Sequence, residues 1–223
     1  MRKIFFIVLI IISIYASIFY AQKRVISQRE DSWLMERLSY LPQTDRIKPY
    51  MLGFSTTYAN YLWIKTMIYF GTHYESDKVY TWLATMVDII TKLNPYFYPA
   101  YEFSGTILPS IASNPDAARI ILHRGITYLG NTKFSIPFYL GWLYYDKYQD
   151  YESAAYFFAY AGKNLKAPAY ISRLAGTLYQ KVNKTQLALD LLHAAYNATE
   201  NPVAKETIKE KIISIQESSS QRK

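Results

Sequence analysis

The chain has 223 residues, 51% hydrophobic and 19% charged, which suits one globular domain with an appended segment and excludes a disordered chain. It contains no Cys, so a disulfide framework, a thiolate metal site, a cysteine nucleophile and a lipid-modified cysteine are excluded. The formal net charge of +8 is dispersed among acids, as in KETIKEK, and no nucleic-acid motif accompanies it, so it reads as a solvated surface and no nucleic-acid partner is expected.

In chain order, Arg2 and Lys3 precede an uncharged run, IFFIVLIIISIYASIFYA, at residues 4–21. At about 1.5 Å per residue this run comes near the ~30 Å of a hydrocarbon core, so residues 1–21 are expected to form a single-pass membrane anchor. A cleaved signal peptide is the competing reading, and the run lacks a clear small-x-small site at its end. Basic residues flank it on both sides, Lys23, Arg24 and Arg29 following it; the short basic tip favours a body outside the cytoplasm. Residues 22–49 read as a stalk carrying a short helix over 27–40 that stops at Leu41-Pro42.

From residue 50 to about 217 the pattern predicts paired helices. YANYLWIKTMIYFG, ending near Gly71, is apolar on all sides, and TWLATMVDIITKLNP follows as its partner. The stretch from Leu52 to Gly71 is long enough for a second membrane span, but its central Lys65 and polar Ser55, Thr56 and Thr57 argue against one. Beyond it Gly105, Gly141 and Gly176 recur 36 and 35 residues apart, with Ala118, Ala154 and Ala188 following by 13, 13 and 12. Four residues after each Ala stands Leu122, Phe158 or Leu192, and seven after it Gly125, Ala161 or Ala195. That spacing places small and large residues on one helical face. The turns fall at 112–116, 147–150 and 182–185, and the clearest units cover about 96–130, 134–167 and 168–202. A last helix from Val203 to Ile215 is expected to cap the array, with residues 218–223 as a disordered tail.

LGxxY at 140–144, DYESAxxxFxxA at 150–161, AGxxY at 175–179 and AxxxLxxA at 188–195 resemble the tetratricopeptide repeat family. The resemblance covers about residues 77–202. It departs in the turns before Ala118 and Ala154, each one residue longer than the family's spacing, in Pro109, late in a first helix, and in Leu108, where the Gly105 unit lacks the aromatic. It implies an all-α fold in which the membrane helix is followed by a right-handed solenoid of antiparallel helix pairs. In such proteins the first helix of each pair lines a concave groove that binds extended or helical partner segments. The matching positions are Glu102, Thr106 and Pro109, then Phe138, Trp142 and Tyr145, then Arg173, Thr177 and Gln180.

Catalytic signals are missing. His123 and His193 occupy equivalent repeat positions and His73 has no ligand cluster in sequence, so no metal site is expected; no cofactor motif is present. Asp146, Asp150 and Glu152 fall in a turn, where acids cap helices. Asn183-Lys-Thr and Asn197-Ala-Thr match the glycosylation pattern but read as helix-boundary residues. The expectation is a membrane-anchored adaptor or scaffold for protein partners, without enzymatic activity. A self-assembling repeat protein, or a non-catalytic subunit of a membrane-associated enzyme or transport complex, is the alternative. Within the groove Trp142 is the aromatic anchor and Arg173 the directed contact to a carboxylate, while packing against a neighbouring helix is the competing role for Phe138 and Trp142.

Overall fold

The computed structural model describes residues 13–20 and 51–220, and the chain divides into two compact units, 1–43 and 44–223. In the first unit residues 13–20 are helical, and the Ser17 hydroxyl donates to the Ser13 carbonyl at 2.9 Å, which satisfies it inside an apolar helix. The rest of the expected anchor at 4–21 and the whole expected stalk helix at 27–40 lie outside the described residues. Among the described residues no helix is long and apolar enough to cross a membrane.

The described part of the second unit is all-α. Its helices are α1 (Ser55–Glu75), α2 (Leu83–Leu93), α3 (Tyr98–Ser110), α4 (Pro115–Leu129), α5 (Ser135–Leu143), α6 (Tyr151–Gly162), α7 (Ala169–Lys181), α8 (Thr185–Ala198) and α9 (Pro202–Ser220), with a π-turn at Tyr144–Tyr148 continuing α5. α1 runs past Gly71 to Glu75, and α9 runs on to Ser220, into the stretch expected to be a tail. The reason for the second extension is visible: Gln180 of α7 donates to the Ser218 hydroxyl at 2.9 Å and holds the last turn.

Local chemistry sets the helix starts. Asn114 accepts from the Ala117 amide and Asp150 from the Ser153 amide, each satisfying a donor that the first turn leaves open. The bonds from Ser153 hold the Asp150 carboxyl below its usual range. Pro115 occupies the first turn of α4, where its missing donor costs nothing.

The helices pack in chain order. α1 lies on α2, α3 on α4, α5 on α6 and α7 on α8; α6 also packs on α7, α3 on α5, α2 on α4, and α9 on both α7 and α8. The core is a chain of small interfaces filled by Leu83, Met86 and Ile90 of α2, Leu108 of α3, Ile121 and Leu122 of α4, Ile136 and Leu140 of α5, and Phe158 of α6, all essentially inaccessible. A network that the periodicity does not reveal ties α2 to α4: Arg124 binds Asp88 at 2.7 Å and the Thr91 hydroxyl at 2.6 Å, while Lys92 pairs with Asp88 at 2.9 Å.

The repeat glycines are sites of close approach. A Cβ on Gly141 would stand 2.9 Å from the Phe158 ring, and one on Gly176 would stand 3.0 Å from Leu192, so in both pairs the glycine of the first helix receives the large residue of the second. Gly105 differs. Its hypothetical Cβ would lie 2.6 Å from Cβ and Cγ of Tyr139, so at Gly105 the nearest neighbour comes from α5, the first helix of the next pair.

The long turns are accommodated by a repeated device. Ser113, Gln149 and Asn183 all adopt left-handed backbone, with φ of 51°, 54° and 60°. The next amide then closes onto the carbonyl three residues after the repeat glycine: Asn114 onto Leu108 (2.8 Å), Asp150 onto Tyr144 (3.0 Å) and Lys184 onto Tyr179 (2.8 Å). The first two loops are one residue longer than the third, and the extra residue widens the final helical turn, as the π-turn after α5 shows. A non-glycine residue in this conformation carries a penalty of about 1 kcal/mol. Ser113→Gly is therefore expected to raise stability by roughly 0.5–1 kcal/mol in chemical denaturation. Ser110→Gly, in the right-handed last turn of α3, should lower it.

Candidate docking face on the first helices

The expected groove residues lie on α3, α5 with its π-turn, and α7, and the structure gives them unequal freedom. Trp142 is the most open aromatic of the set, 48% exposed although Gly141 and Leu143 beside it are buried. Its ring meets Tyr145 at 5.6 Å, and Tyr145 in turn meets Tyr151 at 5.7 Å, so a short aromatic ladder supports the indole from below. Lys181 caps the far end of that ladder, 3.5 Å over the Tyr151 ring.

Phe138 is half-buried. It contacts Phe158 at 5.5 Å and Tyr170 at 6.4 Å, so it links the α5–α6 core to the start of α7. Its packing role is the one the structure shows. Glu102 is occupied by the Tyr98 hydroxyl, which also lies 2.7 Å from Ser135 Oγ of α5. Burial, followed by the bond to Glu102, pushes Tyr98 up to about 12, so the phenol stays a donor at any physiological pH. Thr106 and Thr177 are exposed, each returning its hydroxyl to the carbonyl one turn earlier, whereas Pro109 is buried and offers no surface.

α7 and α9 together frame a hollow of about 530 Å³, open to solvent and lined by Tyr170, Arg173, Thr177, Glu210, Lys211 and Ser214 among others. Two of the expected groove residues, Arg173 and Thr177, meet here. Gln180 lies at its edge and is already engaged, donating to Ser218 and accepting from Lys211 Nζ at 3.3 Å. Lys211 was not foreseen. Its signal was present in KETIKEKIISI: Thr207, Lys211 and Ser214 run directly beside Ile208, Ile212 and Ile215, the buried stripe of α9, and so border the α7 contact.

Elsewhere several ionisable groups have structural partners. His123 shares a 3.2 Å hydrogen bond with the Tyr144 hydroxyl and stands edge-on to Phe157, which stacks on Tyr144 at 5.4 Å. Partial desolvation, followed by the Arg119 charge, shifts its imidazole below the usual range. His193 is exposed, and His73 pairs with Asp77 at 2.6 Å, which with the Val79 amide anchors the loop after α1. Asp116 accepts from the Tyr148 hydroxyl at 2.6 Å and Glu152 from Lys184, so these acids join neighbouring turns. Among the described residues no group of three or more His, Asp or Glu is placed to hold a metal ion.

No family model, curated protein or solved structure matches the chain. The resemblance to tetratricopeptide repeats therefore stands on the repeat residues themselves.

Proposed function

We propose that the protein is a non-catalytic adaptor whose helix pairs form a right-handed array resembling tetratricopeptide repeats, anchored to a membrane by residues 4–21 with its body outside the cytoplasm. Its first-helix face docks an extended or helical segment of a partner protein. The observation that carries this reading is Trp142. A large aromatic is held 48% exposed on a rigid helix, between buried neighbours and on a ladder of further rings. Pre-ordered aromatics of this kind dominate interface energies, because little conformational freedom is lost on binding. Arg173, on the next first helix, supplies a cation with no ion pair among the described residues.

The test is the variant Trp142→Ala/Arg173→Ala in the full-length protein, cross-linked in its native membrane. A partner present with the wild type is expected to be lost, with helicity and unfolding midpoint retained; equal capture by both proteins would refute the reading. Self-association is the second reading, favoured by the outer face of α1, where Tyr61, Ile64 and Ile68 are all about half exposed. Concentration-dependent sedimentation that Ile64→Lys abolishes would support it.

A further inference from the structure

We propose that a second hollow, of about 260 Å³ and walled by the end of α6, the start of α7, α8 and α9, binds a small uncharged phenol. It shares no residue with the expected groove, so the site stands whether or not Trp142 docks a partner. The repeat explains why space is left here. Ala188 of α8 follows Ala154 of α6 by 34 residues, so Leu191 and Ala194 stand where α6 carries Phe157 and Tyr160. At that preceding joint Tyr160 reaches the α4–α5 turn and donates its hydroxyl to Asn131 at 2.8 Å. On the facing side Gly162 and Ser172 stand where the preceding unit carries Ile126 and Pro137. Four residues around one space are thus smaller than their equivalents, and the ring that closes the earlier joint is absent from the later one. A cavity of about 150 Å³ holds benzene, so about 260 Å³ admits a ring with a few further atoms, roughly nine or ten non-hydrogen atoms in all.

Ser172 adds an independent reason and sets the polar requirement. Among the described residues four Ser and Thr side chains are buried, and Thr66, Thr91 and Ser104 each donate to a carbonyl of the preceding turn. Ser172, 4% exposed, has no hydrogen-bond partner among the described residues. Its oxygen is not sealed, in contrast to the unpartnered Tyr80 hydroxyl, and it lines the hollow. A Cβ on Gly162 would stand 2.5 Å from Ser172 Oγ, so the missing side chain of Gly162 is what leaves the hydroxyl room. A phenol can donate to that oxygen while Leu191, Ala194, Ala195 and Ile208 cover its ring. The one charged lining residue, Lys163, is exposed and no acid lines the hollow, so an uncharged ligand is preferred to an ion.

The experiment titrates the full-length protein in lipid nanodiscs with 4-ethylphenol and with 4-ethyltoluene, which carries a methyl group in place of the hydroxyl, and subtracts partition into empty nanodiscs. Ser172→Ala should weaken 4-ethylphenol by about fivefold or more, the worth of one neutral hydrogen bond, and leave 4-ethyltoluene unchanged or tighter. The unfolding midpoint of that variant should be retained, since the deleted hydroxyl has no partner to lose. Ala194→Tyr gives α8 the ring that α6 carries at Tyr160; it should abolish binding of both compounds and raise the midpoint. Equal weakening of both compounds by Ser172→Ala would leave Ser172 a packing residue and overturn the phenol assignment. Binding that survives Ala194→Tyr would place the ligand elsewhere and overturn the site, as would no binding by the wild type at millimolar concentration. N-acetyltyrosinamide binding more tightly than 4-ethylphenol would assign the hollow to a Tyr side chain of a protein partner and overturn the free ligand.

Discussion

Phe158→Ala is expected to destabilise the second unit by about 3–5 kcal/mol, the range for deleting a fully buried ring without collapse of the site. The ring is inaccessible, stands against Gly141 of α5 and meets Phe138 at 5.5 Å, so its loss opens a void inside the α5–α6 pair. Phe158→Leu retains most of the volume and should cost under about 2 kcal/mol. Denaturant titration distinguishes these outcomes provided the slope is unchanged, which shows that the extent of unfolding is the same. A cost below about 1 kcal/mol for the alanine variant would mean that the α5–α6 interface is not a centre of the core.

Gly105→Ala should be nearly as damaging, about 2–3 kcal/mol, although it adds a single methyl group. The new Cβ would fall 2.6 Å from the Cβ and Cγ of Tyr139, atoms fixed to the backbone of α5, so relief requires α3 and α5 to part. The two positions should therefore be strongly non-additive, Gly105→Ala costing little in a Tyr139→Gly background. Gly71→Ala is the internal contrast. Its Cβ would meet nothing within 4 Å, and the change should stabilise α1 by roughly 0.5–1 kcal/mol through helix propensity. Opposite signs for two Gly→Ala changes in first helices would identify α3–α5 contact, and not backbone freedom, as the reason for Gly105. The same contact sets the spacing of α3 and α5, the helices that carry Glu102 and Trp142.

The helix pairs were legible because small and large residues recur at one helical spacing, and Gly141 with Phe158 and Gly176 with Leu192 are the physical meaning of that recurrence. What escaped was whatever depends on contact between one unit and the next. Nothing in the period tells that Gly105 is filled by Tyr139, or that Arg124 reaches back to Asp88, since neither partner holds an equivalent place in its own unit. The extra residue in two turns was visible as a departure, but its resolution by a widened last turn and a left-handed Ser113 or Gln149 follows from backbone geometry. The candidate docking face was only partly readable. Helical register placed Trp142, Arg173 and Thr177 on the first helices, yet it could not separate the exposed Trp142 from the buried Pro109 or the packed Phe138. Lys211 does not stand out in the sequence, where the last helix is expected only to cap the array. Side chains bordering a buried stripe are shared between cap and surface, and only the packing of α9 on α7 assigns them.

Photo-cross-linking with a reactive residue placed in turn at Thr106, Trp142 and Thr177, and at Ile120 and Tyr156 on the exposed sides of α4 and α6, tests the docking face most directly. The account predicts adducts to one protein partner from the three first-helix positions and none from the two second-helix positions. Adducts confined to Ile120 and Tyr156, or spread evenly over all five, would contradict it.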